Sequence, residues 1–286
     1  MKVNLDFGSA CNFDCPYCYN KLGHDLTTFR RTALTQEQVN LVAEVCAAYG
    51  QVDELAVIGG EPTVFAPLTG LINKVKPLLL SVISNGYDVE KLRELTHSPG
   101  AVKTSTVITV HRSIYEGLDV DEWLRAWEKL RTPEKEVRYM LMVDGEATPI
   151  SLFKKVLDVV PEERVGFSYV RRKFSFDPKG LAASTRFMVT KTPWGKKFLQ
   201  DVNVGEIGCG AKPNLNYGED CGEAKNQIIN FSVNGVKKCG ADPYLEPYLG
   251  TGESILAKVQ EHQFTCNRKW MNDECPLCYT CTKKKE

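Results

Sequence analysis

A chain of 286 residues that is 43% apolar can bury a real core, as one domain of roughly 200 residues plus an appendage. Its 36 Lys and Arg balance 36 Asp and Glu, so net charge alone argues for no polyanionic partner. The opening Met1–Phe7 lacks the shape of a signal peptide and no apolar run is long enough to span a bilayer. The expectation is a soluble, cytoplasmic protein without a membrane partner, in which eleven cysteines read as metal ligands or catalytic thiols before disulfides.

Val3, Leu5 and Phe7 alternate with polar residues and predict a first strand, ended by Gly8. A loop with Cys11, Cys15 and Cys18 follows. Thr35 and Gln38 form a capping-box start for a helix to about Tyr49, with Cys46 beside Val39 and Val42 as an inert core thiol. Leu55–Ile58 is a short apolar strand of the kind buried on both faces of a parallel sheet. A helix near 66–76, a strand at Leu79–Ser84, a helix near 88–96 and a strand at about Thr104–Val110 come next. Asp119 caps a helix bearing Trp123, Trp127 and Leu130, with its acids early and its bases late as the macrodipole prefers. Val137–Val143, 150–159 and Val165–Val170 complete six strand–helix steps. The fold class is therefore α/β, a partial (β/α)6 TIM-like barrel with a small cysteine-rich α+β extension. Ligands to such sheets gather at the C-terminal strand ends, where the cysteine loop lies.

Three thiolates spaced CxxxCxxC can hold three irons of a cubane 4Fe–4S cluster. No fourth cysteine is near, so the fourth iron is open. A zinc loop or a structural cluster is the alternative, but zinc normally completes four ligands. This spacing, with Tyr17 directly before the last cysteine, resembles the signature of the radical S-adenosylmethionine (radical SAM) enzymes. The resemblance implies a cluster on Cys11, Cys15 and Cys18 whose open iron is chelated by the methionine part of SAM. An electron from a donor such as flavodoxin or ferredoxin would split SAM to a 5′-deoxyadenosyl radical, which takes hydrogen from a substrate carbon. It also implies the partial (β/α)6 barrel, and puts Tyr17 where relatives contact adenine.

Gly59-Gly60-Glu61-Pro62 at the second strand end resembles the family's GGEP element, which binds the amino group of SAM. Read from the residues, two glycines let a ligand approach the backbone and Glu61 offers a carboxylate to an ammonium, or the four make a tight βα turn with Pro62 at the first helical position. Ser84 and Asn85, before Gly86, resemble the family's T/S-N-G segment near SAM, and could equally be turn residues. Thr109 stands where relatives carry a hydroxyl that holds the methionine carboxylate or ribose, and His111 beside it is a ligand contact or a capping histidine.

Seven cysteines lie late: Cys209, Cys221, Cys239, Cys266, Cys275, Cys278 and Cys281. Ile228–Val233, Asn234-Gly235 and Val236–Lys238 read as a β-hairpin with an Asn-Gly turn between Cys221 and Cys239. That hairpin with the C-terminal CxxCxxC run resembles the SPASM and twitch extensions of radical SAM enzymes, which implies one or two auxiliary 4Fe–4S clusters. The long SPASM run is absent, Cys209 and Cys266 are open as second-cluster ligands, and a structural zinc is the alternative. Sulfatase-maturing relatives have an Asp directly after the hairpin cysteine. Gly240 stands there here, with Asp242 two residues on as the candidate proton acceptor.

The domain reading is a barrel over 1–170, a connecting segment over 171–205 and an auxiliary-cluster unit over 206–286. Within 171–197 eight bases face one acid, Asp177, with Phe174, Phe176, Phe187 and Trp194 interleaved. Such a stretch can contact phosphates and bases, grip an acidic peptide, or simply plug the barrel. The expected substrate is a peptide or protein (cross-linking, oxidation or epimerisation), with a nucleic-acid base or nucleotide-linked group as the alternative. A non-catalytic iron–sulfur or zinc protein is the reading from another class.

Overall fold

A computed structural model of the chain describes residues 1–15, 18, 31–111, 118–143, 150–169, 228–237 and 245–262. The first strand, β1 (Lys2–Asp6), runs into the cysteine loop. Then come α1 (Gln36–Tyr49), β2 (Glu54–Ile58), α2 (Leu68–Val75), β3 (Leu79–Ser84), α3 (Val89–Thr96), β4 (Lys103–Val110), α4 (Val120–Lys129), β5 (Lys135–Val143), α5 (Ile150–Val159) and β6 (Val165–Tyr169). A hairpin of β7 (Ile228–Ser232) and β8 (Gly235–Lys237) and a last helix, α6 (Gly252–Glu261), complete the described elements.

All eight strands belong to one open sheet in the order β6-β5-β4-β3-β2-β1-β7-β8, parallel throughout except for β8. Six parallel strands with five intervening α-helices, as expected of a partial barrel, are present among the described residues, and the sheet does not close. One face packs under the helices, with Val3 and Leu5, Leu55 and Val57, Leu80 and Val82, and Ile108 and Val110 buried. The other face is half-buried, and Ile58 stays 41% exposed, so β2 is covered on one face rather than both. In an incomplete barrel that second face lines the concave side. Among the described residues no helix is long and apolar enough to cross a membrane.

The helix starts follow from local chemistry. Thr35 and Gln38 cap α1 reciprocally, and Gly50 ends it at φ 104°. Cys46 is buried on α1, and burial pushes its thiol up to about 12, so it is an inert core residue. Asp119 accepts the amides of Asp121 and Glu122 at the start of α4. Across α4, β5 and the turn before β6, Arg164 forks onto Glu128 at 2.7 and 3.0 Å, and Tyr139 donates to the same carboxylate at 2.9 Å.

The hairpin is the main departure from expectation. Its first strand, β7, pairs in parallel with β1, Lys2 opposite Ile228 and Leu5 opposite Phe231. Asn4 donates to Asn230 at 2.9 Å across that seam, and Gln38 of α1 reaches the Val233 carbonyl at 3.1 Å. The two-residue turn is Val233-Asn234, one position earlier than an Asn-Gly turn. Gly235 is used differently: it lies in β8 at φ 145°, where a Cβ would collide with the Glu246 carbonyl. The α6 helix was not expected at all. It starts from a Thr251–Ser254 capping box and lies on α1, the Gly252 amide donating to Glu44 at 3.2 Å.

Two contacts set the mouth of the barrel at the C-terminal strand ends. The loops after β1 and β2 are spliced by their backbones, Gly60 N–H to Gly8 O at 2.7 Å and Glu61 N–H to Ala10 O at 2.8 Å. A Cβ on Gly60 would overlap the Ala10 carbonyl, and Gly59 has φ 132°. The glycines therefore admit the cysteine loop's own backbone, which the ligand-access reading of the sequence did not anticipate. On the far side, Trp123 and Trp127 of α4 both donate their indole N–H to the Gly86 carbonyl, at 2.7 and 3.3 Å.

Trp127→Ala is expected to lower the unfolding free energy by about 3–5 kcal/mol, seen as a lower denaturant midpoint. Trp123→Phe, which loses chiefly the bond to Gly86, should cost about 1 kcal/mol. Gly60→Ala should lower iron uptake on anaerobic reconstitution by about four per chain by forcing the two loops apart. Gly70→Ala on α2, where a Cβ meets nothing within 4 Å, should leave uptake unchanged.

Candidate active site at the cysteine loop

Cys11, Cys15 and Cys18 are free, half-buried thiols on the loop at the C-terminal end of β1. The Cys18 amide donates to the Cys15 carbonyl at 3.1 Å, which closes a turn across the CxxC spacing. The Phe13 N–H points at Cys11 Sγ at 3.4 Å, and the Cys11 thiol faces Asn12 Oδ1 at 3.7 Å. Burial pushes the Cys11 thiol above its usual range. The Phe13 amide and Arg31 pull it down, while Glu61 and Cys15 push it further up.

Glu61 is the organising residue of the neighbouring loop, with 1% of its surface exposed. Its Oε1 accepts Thr63 N at 3.2 Å, Thr63 Oγ1 at 2.9 Å and Ser84 Oγ at 2.8 Å, and its Oε2 accepts Asn85 N at 2.8 Å. Burial raises its pKa and these four donors oppose the rise. The turn reading of Gly59–Pro62 is present in this geometry: Glu61 N-caps a single 3-10 turn with Pro62 in the first helical positions. Its carboxylate also faces the site.

Ser84 and Asn85 end β3 against that carboxylate. Ser84 Oγ in turn accepts Gly86 N at 3.0 Å, and Thr109 Oγ1 donates to the Ser84 carbonyl at 3.1 Å. Asn85 Nδ2 donates to Asn12 Oδ1 at 2.9 Å, joining the end of β3 to the residue after the first cysteine. Tyr87 adds an edge contact to Phe13 with ring centroids 5.1 Å apart. His111, just past β4, is held down to about 4 by burial and is neutral at physiological pH. The structure thus brings Cys11, Cys15, Cys18, Gly59, Gly60, Glu61, Pro62, Ser84, Asn85 and Thr109 to one end of the sheet.

Sequence reasoning missed Asn12, Arg31 and the two indoles that seat the turn after β3. Arg31 donates to the carbonyls of Cys11 and Phe13 and to Asp14 Oδ1. Tyr17, Asp242, the basic stretch 171–197 and the seven late cysteines lie outside the described residues.

The donor set fits an iron–sulfur cluster held through three irons. Three thiols sit together on one loop, one already with an N–H···S bond, and the only other cysteine among the described residues is buried in α1. No three His, Cys, Asp or Glu side chains among the described residues converge on a single ion. A cubane takes one thiolate per iron, which three thiols on one loop can supply.

A family model described as "Radical SAM superfamily" matches residues 5–146. Comparison with curated proteins returns no match. Among solved structures, "Native anSMEcpe with bound AdoMet" is similar at TM-score 0.54 and 17% identity, over 93% of this chain and 81% of that one. Its polyhistidine-tagged form, also with bound AdoMet, gives 0.52 and 15%, over the same shares. Streptococcus suis SuiB bound to S-adenosylmethionine gives 0.48 and 11%, over 91% and 67%. At TM-scores above 0.5 the first two support the fold alone, an α/β fold with a mostly parallel, open sheet of the partial-barrel kind. The span matched by the radical SAM superfamily model holds Leu5 of β1, the three thiols, Glu61 and the ends of β3 and β4, so the similarity covers the elements that carry the candidate site.

Proposed function

We propose that this protein is an enzyme that reductively cleaves S-adenosylmethionine to a 5′-deoxyadenosyl radical and uses it to take hydrogen from an unactivated C–H of a peptide or protein. The observation that carries the reading is the splice of the three-thiol loop onto the loop of buried Glu61 at one end of the sheet. When bound, the 4Fe–4S cluster supplies the electron, received from an external low-potential donor of the flavodoxin or ferredoxin kind.

The chain's own residues bind and orient. Cys11, Cys15 and Cys18 would hold the cluster. Glu61 Oε2 carries one hydrogen bond among the described residues and keeps acceptor capacity for an ammonium such as that of SAM. Ser84 and Thr63 hold the carboxylate in place, so little reorganisation is needed when a cation arrives. Thr109 keeps the end of β3 seated and offers its hydroxyl to the same space. The late cysteines are proposed as ligands of one or two auxiliary 4Fe–4S clusters.

A second substrate class, a nucleic-acid base or nucleotide-linked group, draws support from the eight bases and four aromatics of 171–197. Salt-dependent retention on RNA or DNA is the outcome that favours it, and absence of retention at low salt removes it.

Anaerobically reconstituted protein, reduced in the presence of SAM, is expected to yield 5′-deoxyadenosine, read by chromatography. The Cys11→Ala, Cys15→Ala, Cys18→Ala triple variant should yield none and should lose about four irons per chain. A wild-type protein that carries zinc, or iron without 5′-deoxyadenosine formation, would remove the reading. Total iron near four, eight or twelve per chain separates no, one and two auxiliary clusters.

A further inference from the structure

The three-thiol loop is gripped from outside its own motif. Arg31 stands 20 residues after Cys11 and donates through Nη1 to the Cys11 carbonyl. Through Nη2 it donates to the Phe13 carbonyl at 2.8 Å and to Asp14 Oδ1 at 3.1 Å. The two gripped carbonyls flank the peptide between Asn12 and Phe13, and that peptide's N–H is the one aimed at Cys11 Sγ. One planar fork thus immobilises both neighbours of the amide that bonds the sulfur. A guanidinium is suited to this because its donors are fixed in a plane, whereas a lysine is a point charge on a flexible stem.

The same side chain brings a guanidinium charge onto the backbone of the loop that carries the Cys11 sulfur, partly balanced by Asp14 at 3.1 Å. A cluster on three thiolates becomes one charge more negative when it takes up one electron. N–H···S bonds and nearby positive charge therefore favour the reduced form, and cluster potentials respond to both. The two effects of Arg31 act with the same sign.

We propose that Arg31 is the positioning residue that sets the reduction potential of the cluster on Cys11, Cys15 and Cys18, by orienting the Phe13 N–H onto the Cys11 sulfur and placing a cation beside it. The inference rests on the reading of those thiols as cluster ligands. The couple is a one-electron step: an external low-potential donor gives the electron, the cluster gains it, and no bond in the protein is made or broken. Arg31 is 38% exposed, so solvent screens part of its field. The expected effect is about tenfold in the oxidised-to-reduced ratio at a given potential, equivalent to ~59 mV for one electron.

The test is a mediated anaerobic redox titration of the reconstituted full chain, followed by electron paramagnetic resonance, for wild type, Arg31→Lys and Arg31→Met. Iron and sulfide counts and far-ultraviolet circular dichroism accompany it. Arg31→Met is expected to titrate at a more negative midpoint by about that amount, and Arg31→Lys, which keeps the charge but not the fork, in between. Equal midpoints in all three loaded proteins overturn the proposal. If Arg31→Met fails to take up a cluster, Arg31→Lys decides: a wild-type midpoint overturns it and a more negative one supports it. A wild-type chain that takes up no cluster fails differently, since it removes the ligand reading itself and this inference with it.

Discussion

Glu61 is buried to 1% exposure yet carries a carboxylate, and the shape of the barrel mouth follows from that requirement. An unpaired carboxylate in such a place costs several kcal/mol, and removing a single partner costs more than that hydrogen bond contributes. Its four donors come from two segments, the turn after β2 and the end of β3. Satisfying the charge therefore fixes those two segments against each other. Asn85, which gives its amide N–H to Glu61, uses its side chain to reach Asn12, so the same network extends to the cysteine loop.

Close backbone approach is the second constraint. Gly60 lets β2 run up against Ala10, and Gly86, with φ 68° and Ile108 Cγ2 only 2.6 Å from where a Cβ would be, lets the end of β3 turn under β4. At Gly86 two tryptophans complete the arrangement from the helix side. These indoles are core residues by burial, but each also places a polar bond on the turn that presents Asn85. Packing energy and site geometry are joined in the same side chains.

Period and capping chemistry were legible in the sequence because they are local. The capping box at Thr35, the Asp119 cap and the alternation of strands and helices through Tyr169 depend on residues within a turn or two of one another. The spacing of the three thiols and the setting of Glu61 single them out in the sequence, and the fold brings them to the same end of the sheet. What was hidden depends on distant partners. Arg31 is an ordinary base until the loop folds back on it. Gly235 reads as a turn glycine until the Glu246 backbone arrives beside it, and its displacement into β8 moves the turn by one residue. Nothing in Ile228–Ser232 announces that it will pair with β1, since a parallel partner leaves no mark in the local pattern. The α6 helix did carry a signal, in Thr251, Ser254 and the spacing of Ile255, Leu256 and Val259, but its short length and polar average obscured it.

The position of β1 between β2 and β7 has a consequence for how the molecule is made. The strand that delivers the thiols leaves a ribosome well before its second neighbour, which lies more than 200 residues downstream, as the Asn4–Asn230 bond records. Contacts that span so much chain form slowly, because the closure entropy is met before the pairing repays it. Until then the nascent β1 presents a row of bare amides and carbonyls, a surface prone to mispairing. Folding of β1 against β2 and completion of the sheet by β7 are thus separated in time along the growing chain.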